Sequence, residues 1–279
     1  MKVLLLDGYN LFYRARYSGM NKGDYSTIFN FFRGLRPLIE KMNPDISYLV
    51  LEGMPKKRLA MSPDYKGQRK YNDDDNFRSQ RKEIVNILHS YFPITLVKHE
   101  DYECDDIIGH LAKKNQNLNN EVTIISSDTD FIQCISDKVK LYNPVRKQYI
   151  DKPSYDYVLW KSLKGDDSDN ITGFKGIGNK KAQKLCENKS DLDKFLLNEE
   201  NKEKLSHNIE MITLHNLHEE ANNIKFYNTI EKPKWNELKE VFEKYDFNSM
   251  VSKDSTWSKY TNTFKNLWEN LNVSWTNFR

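Results

Sequence analysis

A mostly parallel α/β sheet flanked by helices is what this sequence predicts, and three observations predict it. Short runs of aliphatic and β-branched residues recur along the first half of the chain. Stretches with apolar residues at helical spacing lie between them. An acidic residue follows almost every run, as expected where strands end at the ligand-binding edge of an open parallel sheet. A chain of 279 residues has room for one such domain and a smaller module.

The runs 3–6 (VLLL), 48–51 (YLVL), 94–97 (ITLV) and 122–125 (VTII) suit buried parallel strands. Residues 28–42 and 84–92 carry the helical pattern. Pro37 lacks an N–H to donate and is expected to kink or restart the first of these helices. Strands alternating with helices argue for a doubly wound sheet.

Two segments break the rhythm. Residues 55–82 are polar and strongly basic, and too long for an ordinary loop inside a compact domain, so a functional excursion or a disordered insert is expected. Within it Lys56, Lys57 and Arg58 read individually as a solvated basic loop. Tyr65, Tyr71 and Phe77 are interleaved with basic residues, which makes them available for base stacking in an electrostatic funnel. The second segment, 165–185, is a glycine- and aspartate-rich turn leading into a basic helix, and the domain change is placed there. The expected organisation is a core over 1–160, a module over 161–230 and a helical segment over 231–279 with no assigned role. Trp235, Trp257, Trp268 and Trp275 give that last segment an aromatic character expected to pack against the body.

Lys+Arg number 43 against 40 Asp+Glu, so any preference for a polyanion must lie in the arrangement of charge. Cys104, Cys134 and Cys186 are scattered and odd in number, which fits a reduced compartment. The opening MKVLLLD is too quickly interrupted for a signal peptide, and no apolar run reaches membrane-spanning length. A soluble cytoplasmic protein is expected.

The acids carry the chemistry. Asp7 follows the first run, Glu52 the second, and Asp128 and Asp130 the fourth, while HEDYECDD, with Glu103, Asp105 and Asp106, follows the third. Taken singly, each has a plain reading as a turn or helix-capping residue. Together they would repel one another unless a cation neutralised them. Oxygen donors suit Mg²⁺ or Mn²⁺, and the histidines and cysteines offer no zinc spacing; His215 and His218, three apart, lack a second pair. Two such ions about 4 Å apart activate water and stabilise a leaving oxygen in phosphodiester hydrolysis. Cys104 reads as a small filler within the acidic motif, and His110 as a solvent-facing or packing residue.

Six motifs lie in a recognisable order: Asp7-Gly8-Tyr9-Asn10, Tyr65-Lys66-Gly67-Gln68-Arg69, Glu103-Cys104-Asp105-Asp106, Ser127-Asp128-Thr129-Asp130, Gly165-Asp166-Asp167-Ser168-Asp169-Asn170-Ile171 and Gly173-Phe174-Lys175-Gly176-Ile177-Gly178. Over roughly the first two thirds of the chain they resemble the flap-endonuclease and 5′-to-3′ exonuclease family, especially its bacterial and phage members. The resemblance implies a PIN-like 5′-nuclease core, a helical arch at about 55–82 and a helix-three-turn-helix DNA-binding module. It implies two Mg²⁺ ions, with Mn²⁺ as substitute: Asp7, Glu52, Glu103, Asp105 and Asp106 mainly around one, Asp128, Asp130, Asp166 and Asp169 mainly around the other. Glu52 departs from the pattern, since those members carry Asp after this strand. Lys66 matches the arch lysine that contacts the scissile phosphate, with Arg69 assisting and Tyr65 beside it. Arg14 and Arg146 match phosphate contacts. Lys175, Gly176, Gly178, Lys180 and Lys181 match the turn and helix start that grip duplex backbone, and the carbonyls of the turn from Gly173 to Gly178 are expected to hold K⁺.

The implied activity is structure-specific hydrolysis near 5′ ends of branched, nicked or RNA-primed DNA. A monomeric, stand-alone nuclease is expected, with the C-terminal segment as a docking point for a replication protein. A PIN-type ribonuclease would share the acidic sheet edge but lack the basic arch and GFKGIGNKK. A haloacid-dehalogenase-type phosphatase would need its paired aspartates after the first strand, where this chain has Asp7-Gly8-Tyr9. An inactive structure-specific DNA-binding protein is the remaining alternative, and retention of nearly every family carboxylate argues against it.

Overall fold

The four apolar runs become β1 (Lys2–Asp7), β2 (Ile46–Val50), β3 (Thr95–Lys98) and β4 (Glu121–Ile125). In the computed structural model, which describes residues 1–19, 23–69, 73–214, 217, 219–228 and 230–271, they form the parallel centre of a seven-stranded sheet. Its order is β6-β5-β4-β1-β2-β3-β9. β5 (Val139–Asn143) extends the parallel run, while β6 (Gln148–Ile150) and β9 (Lys225–Tyr227) close the two edges antiparallel. These three strands escape the sequence pattern because they are short or half polar. The chain leaves β1 toward β2 on one side and reaches β4 on the other, so the strand order reverses beside β1, where open α/β sheets place ligands.

Side chains alternate across the sheet with the two-residue period of a strand. Leu4 and Leu6 face a layer built from α1 (Gly8–Arg16), α2 (Ser26–Met42) and α4 (Asp75–Tyr91). Val3 and Leu5 face α5 (Cys104–Asn117), whose Ile107, Ile108 and Leu111 bury against them. This is the predicted mostly parallel sheet covered by helices on both faces.

Three local expectations change. Pro37 lies inside α2 without restarting it: the helix runs on to Met42, with Leu38 and Ile39 buried just after the proline. The helix predicted over 84–92 begins at Asp75, because the Asp74 carboxylate accepts from the Phe77 N–H (2.7 Å) and caps it. Arg58 is buried, not solvated. The basic excursion therefore contains α3 (Lys56–Met61), a turn and the first half of α4. Lys70 and Tyr71 fall outside the described residues.

Beyond the core, α6 (Tyr157–Lys164) leads into a two-stranded ribbon, β7 (Gly165–Asp166) and β8 (Ile171–Thr172). Then follow α7 (Asn179–Glu187), α8 (Lys189–Phe195) and α9 (Glu199–Ile212). Leu163, Phe174, Ile177, Ala182, Leu185 and Leu205 give this module its own small core. A further patch of Tyr65, Ile171, Met211 and Ile212 joins the module to the excursion. The C-terminal helices α10 (Trp235–Lys244), α11 (Asn248–Val251), α12 (Asp254–Asn262) and α13 (Lys265–Glu269) pack into the α2/α4 layer. Phe242 lies 5.3 Å from Phe32, and Phe264 lies 5.0 Å from Phe92 between ring centroids. Trp235, Trp257 and Trp268 all join that cluster; Trp275 lies outside the described residues. Among the described residues no helix is long and apolar enough to cross a membrane.

Candidate metal centre and phosphate-facing cleft

Asp7 ends β1 and is also the N-cap of α1, and the same side chain lines the cleft. It accepts from the Asn10 N–H at 3.0 Å and from the Ser126 hydroxyl at 2.7 Å. Gly8 follows because a Cβ there would meet the Val50 carbonyl oxygen at 2.5 Å. Glu52, just past β2, accepts from the Cys104 N–H at the start of α5 (3.3 Å). Asp128 follows β4 and accepts from the Asp130 N–H (2.8 Å). Asp166 belongs to β7 and Asp169 to the 3₁₀ turn between β7 and β8.

Eight of the nine predicted acids line one cleft of about 1210 Å³: Asp7, Glu52, Glu103, Asp105, Asp128, Asp130, Asp166 and Asp169. Asp130, Asp166 and Asp169 bring oxygens within 4.8 Å of one another. Asp106 stands apart. Its side chain is fully buried, and both oxygens accept from the Arg58 guanidinium (2.7 and 2.8 Å). By sequence it is equivalent to Asp105, but consecutive helical positions face different ways, and Asp106 turns inward.

Burial and mutual repulsion shape the cleft's charge. Burial pushes Asp7 up to about 6. Glu52 rises to about 7 through burial and then the Glu103 charge. Asp105 is raised well above the carboxylate range by burial, then by Asp128, Asp7 and Glu52. Asp130 rises to about 6 because burial outweighs the pull of Lys161. Asp166 goes the other way: burial would raise it, but the Lys161 ammonium and Ser168 hold it down to about 2.

Lys161 is the residue that sequence reasoning missed. Its ammonium meets Asp130 and sits 2.6 Å from Asp166. The signal was available in principle, since Lys161 lies on α6 just ahead of Gly165-Asp166, but nothing local marks it as more than a helix lysine.

Lys66 and Arg69 do reach the cleft. Lys66 adopts a left-handed backbone (φ 55°), a costly conformation for a residue other than glycine, and its ammonium contacts Glu103. The Arg69 guanidinium contacts Asp169 and donates to the Ser168 carbonyl (3.1 Å). Tyr65 and Phe77 are buried, so the stacking expected of them is corrected. The Tyr65 hydroxyl instead reaches Glu103 Oε2 at 3.0 Å and Asp169 Oδ2 at 3.1 Å. Cys104 is a buried filler, its Sγ 3.4 Å from the Val50 carbonyl oxygen.

The remaining basic candidates lie elsewhere. Arg14 lines a separate groove with Arg33, Arg36 and Lys41. Arg146 is exposed on the β5–β6 turn. Lys175, Gly176, Gly178, Lys180 and Lys181 are all exposed around the start of α7. Gly176 has φ 75°, and a Cβ there would meet nothing, so this turn needs glycine for its backbone alone. One carbonyl of the turn expected to hold K⁺, that of Gly173, accepts from the Lys204 ammonium (2.9 Å). His215 and His218 fall outside the described residues.

The donor set fits divalent magnesium or manganese: every candidate ligand is a carboxylate, and burial raises Asp7, Glu52, Asp105 and Asp130 above the usual carboxylate range, which a nearby cation would oppose.

The model of the 5′-3′ exonuclease N-terminal resolvase-like domain matches residues 2–158. The chain belongs to the 5′-3′ exonuclease family. A 5′-3′ exonuclease of Aquifex aeolicus is 29% identical over 90% of this chain and 94% of its own. The DNA polymerase I of Caldicellulosiruptor bescii is 31% identical over 71% of this chain and 26% of its own. The chain thus spans about a quarter of the length of the DNA polymerase I relatives it matches. A crystal structure of the bacteriophage T5 flap endonuclease with DNA and metal ions superposes with a TM-score of 0.65 at 19% identity, covering 96% of this chain and 99% of that one. A T5 5′-exonuclease with bound zinc gives 0.65 over 97% and 100%, also at 19% identity. This family's fold is the one described above.

Proposed function

We propose that the chain is a structure-specific 5′-nuclease, acting as flap endonuclease and 5′-to-3′ exonuclease near 5′ ends of branched, nicked or RNA-primed DNA. The observation that carries this reading is the convergence of eight carboxylates in one cleft beneath Lys66 and Arg69. Asp7, Glu52, Glu103 and Asp105 would hold one Mg²⁺, and Asp128, Asp130, Asp166 and Asp169 the other, with Mn²⁺ as substitute. The ions, when bound, would supply Lewis acidity for water activation and leaving-oxygen stabilisation.

The chain's own residues supply the rest. Lys66 and Arg69 hold carboxylates in the cleft, and an incoming phosphate offers them a competing anion. Transfer of these cations to the phosphate oxygens would offset charge developing there. Lys161 keeps Asp166 ionised at all ordinary pH. The exposed Gly176–Gly178 turn and the start of α7, with Lys180 and Lys181, would grip duplex backbone without reading sequence. K⁺ at that turn would have to share it with Lys204. Arg14 and Arg146 would add phosphate contacts outside the cleft. We further infer a monomer working in the cytoplasm; among the described residues, a replication-protein contact through the segment 231–279 would use the outer face of α10 to α13, since the large apolar side chains of these helices join the core.

The test is a 5′-flap duplex, a nicked duplex and an RNA–DNA hybrid, each end-labelled and incubated with Mg²⁺ or EDTA. Cutting near the 5′ end with Mg²⁺ and none with EDTA is expected. Binding to the flap without any cutting would instead identify an inactive DNA-binding protein.

A further inference from the structure

Arg58 is the most completely bonded cation among the described residues near the cleft, although it does not line the main cavity. Its side chain is 4% exposed. A guanidinium has five N–H donors, and five bonds are made. Nε donates to the Met211 carbonyl (2.9 Å) and Nη1 to Glu103 Oε2 and Asp106 Oδ2 (both 2.7 Å). Nη2 donates to Asp106 Oδ1 (2.8 Å) and the Thr213 carbonyl (3.2 Å). One side chain of α3 thus ties the base of the excursion to the first turn of α5 and to the end of α9.

The consequence falls on Glu103. Its Oε2 is held by Arg58 and by the Tyr65 hydroxyl, while its Oε1 meets Lys66 on the cleft side. The two oxygens of one carboxylate are thereby given different tasks. A carboxylate gripped through one oxygen cannot rotate freely, and outer-shell hydrogen bonds of this kind orient metal ligands.

We propose that Arg58 is a positioning residue that presents Glu103 to a divalent ion through Oε1 alone, with Asp106 serving as its buried counter-ion in place of a direct metal ligand. The proposal rests on the two-metal reading above. It explains why two adjacent carboxylates of one motif differ: Asp105 faces the cleft, and Asp106 holds the arginine that holds Glu103. It also requires a fork-shaped cation, since lysine could not bond both carboxylates and two carbonyls at once.

The experiment measures Mn²⁺ binding to DNA-free protein by electron paramagnetic resonance, alongside thermal melting and flap binding in EDTA. The double variant Arg58→Met/Asp106→Leu replaces the buried ion pair with apolar groups, an exchange that often leaves stability intact. Its Mn²⁺ affinity is expected to fall roughly 10- to 100-fold, the usual cost of losing an outer-shell partner, with flap binding unchanged. Arg58→Lys, which keeps a charge beside Asp106, is expected to show a similar loss and decides the matter should the double variant fail to fold. Wild-type Mn²⁺ affinity in either folded variant would overturn the proposal. Absence of Mn²⁺ binding in the wild-type protein would instead sink the two-metal reading itself.

Discussion

The two sides of the acidic cleft solve the same electrostatic problem differently. On the sheet side, Asp7, Glu52 and Asp105 are buried and raised above the usual carboxylate range. Lys66 is the one base whose charge lowers Glu52 and Asp105 among the main influences on them, and it does not prevail. Where bases of the excursion and of α6 reach the cleft, acids have close partners: Glu103 with Arg58 and Lys66, Asp169 with Arg69, Asp166 with Lys161. The difference teaches that the protein's own bases pair with some acids of this cleft and leave others raised by burial and mutual repulsion. Divalent ions and a phosphate backbone, arriving together, would discharge the first half and recruit the bases of the second.

The severest way to break this comparison is to remove the acids that lie between the halves. Asp128→Asn with Asp130→Asn is expected to lower single-turnover flap cleavage by roughly 10³-fold or more, since several kcal/mol of transition-state stabilisation is at stake. Flap binding should be largely kept. Cleavage at the wild-type rate would show that the ions sit elsewhere.

Acid and base titration of the metal-free protein should expose the two halves separately. Asp7 and Glu52 have folded values of about 6 and about 7 against ordinary values of 3.8 and 4.5. Below about pH 4 both are protonated in the folded and unfolded chain. Between about pH 4 and 7 the unfolded chain releases these protons while the folded chain keeps them, so stability falls as pH rises, on the order of 3 kcal/mol for each group. Asp166, held down to about 2, adds stability above its ordinary value of 3.8 that is lost as pH falls toward 2. Urea melts with and without Mg²⁺ check this: the ion should stabilise far more at pH 8 than at pH 5. Equal stabilisation at both would mean that the sheet-side acids do not bind it.

Lys66→Ala sharpens the contrast from the other side. Single-turnover cleavage is expected to slow about 10²-fold, as when one charge-stabilising donor is lost, with a smaller change in flap affinity. A larger loss of affinity than of rate would make Lys66 a binding residue only. The mildest effect belongs to Lys180→Ala with Lys181→Ala, which lie outside both halves. Affinity at low salt should fall about tenfold and the salt slope by roughly 2, one for each phosphate no longer neutralised. The cleavage rate of the bound complex should be unmoved, and a changed rate would couple the α7 turn to the chemistry.

Residues whose surroundings are local were legible in the order of amino acids alone. The runs that became β1 to β4, and the acids that follow them, announce themselves because a buried parallel strand is a short aliphatic run ending at the sheet's ligand-binding edge. The basic turn at Lys66 and the glycine turn at Gly176 were equally plain, since charge density and backbone freedom are local properties. Other features were invisible for a physical reason. β5, β6 and β9 are short, and β9 lies far along the sequence from its partner β3. Arg58 reads as one base in a polar stretch until carboxylates 45 and 48 positions away close around it. Lys161 acquires its role only when Asp130, 31 positions earlier, comes within reach.

The amino-acid sequence by itself therefore determined the type of sheet, the stock of carboxylates and the cation class they suit, because strand pattern and ligand chemistry belong to individual segments. The tertiary structure decided which oxygens face the cleft, which acids are left uncompensated and which base each of the others holds. Those outcomes depend on burial and on distances between remote segments, and neither exists until the chain has folded.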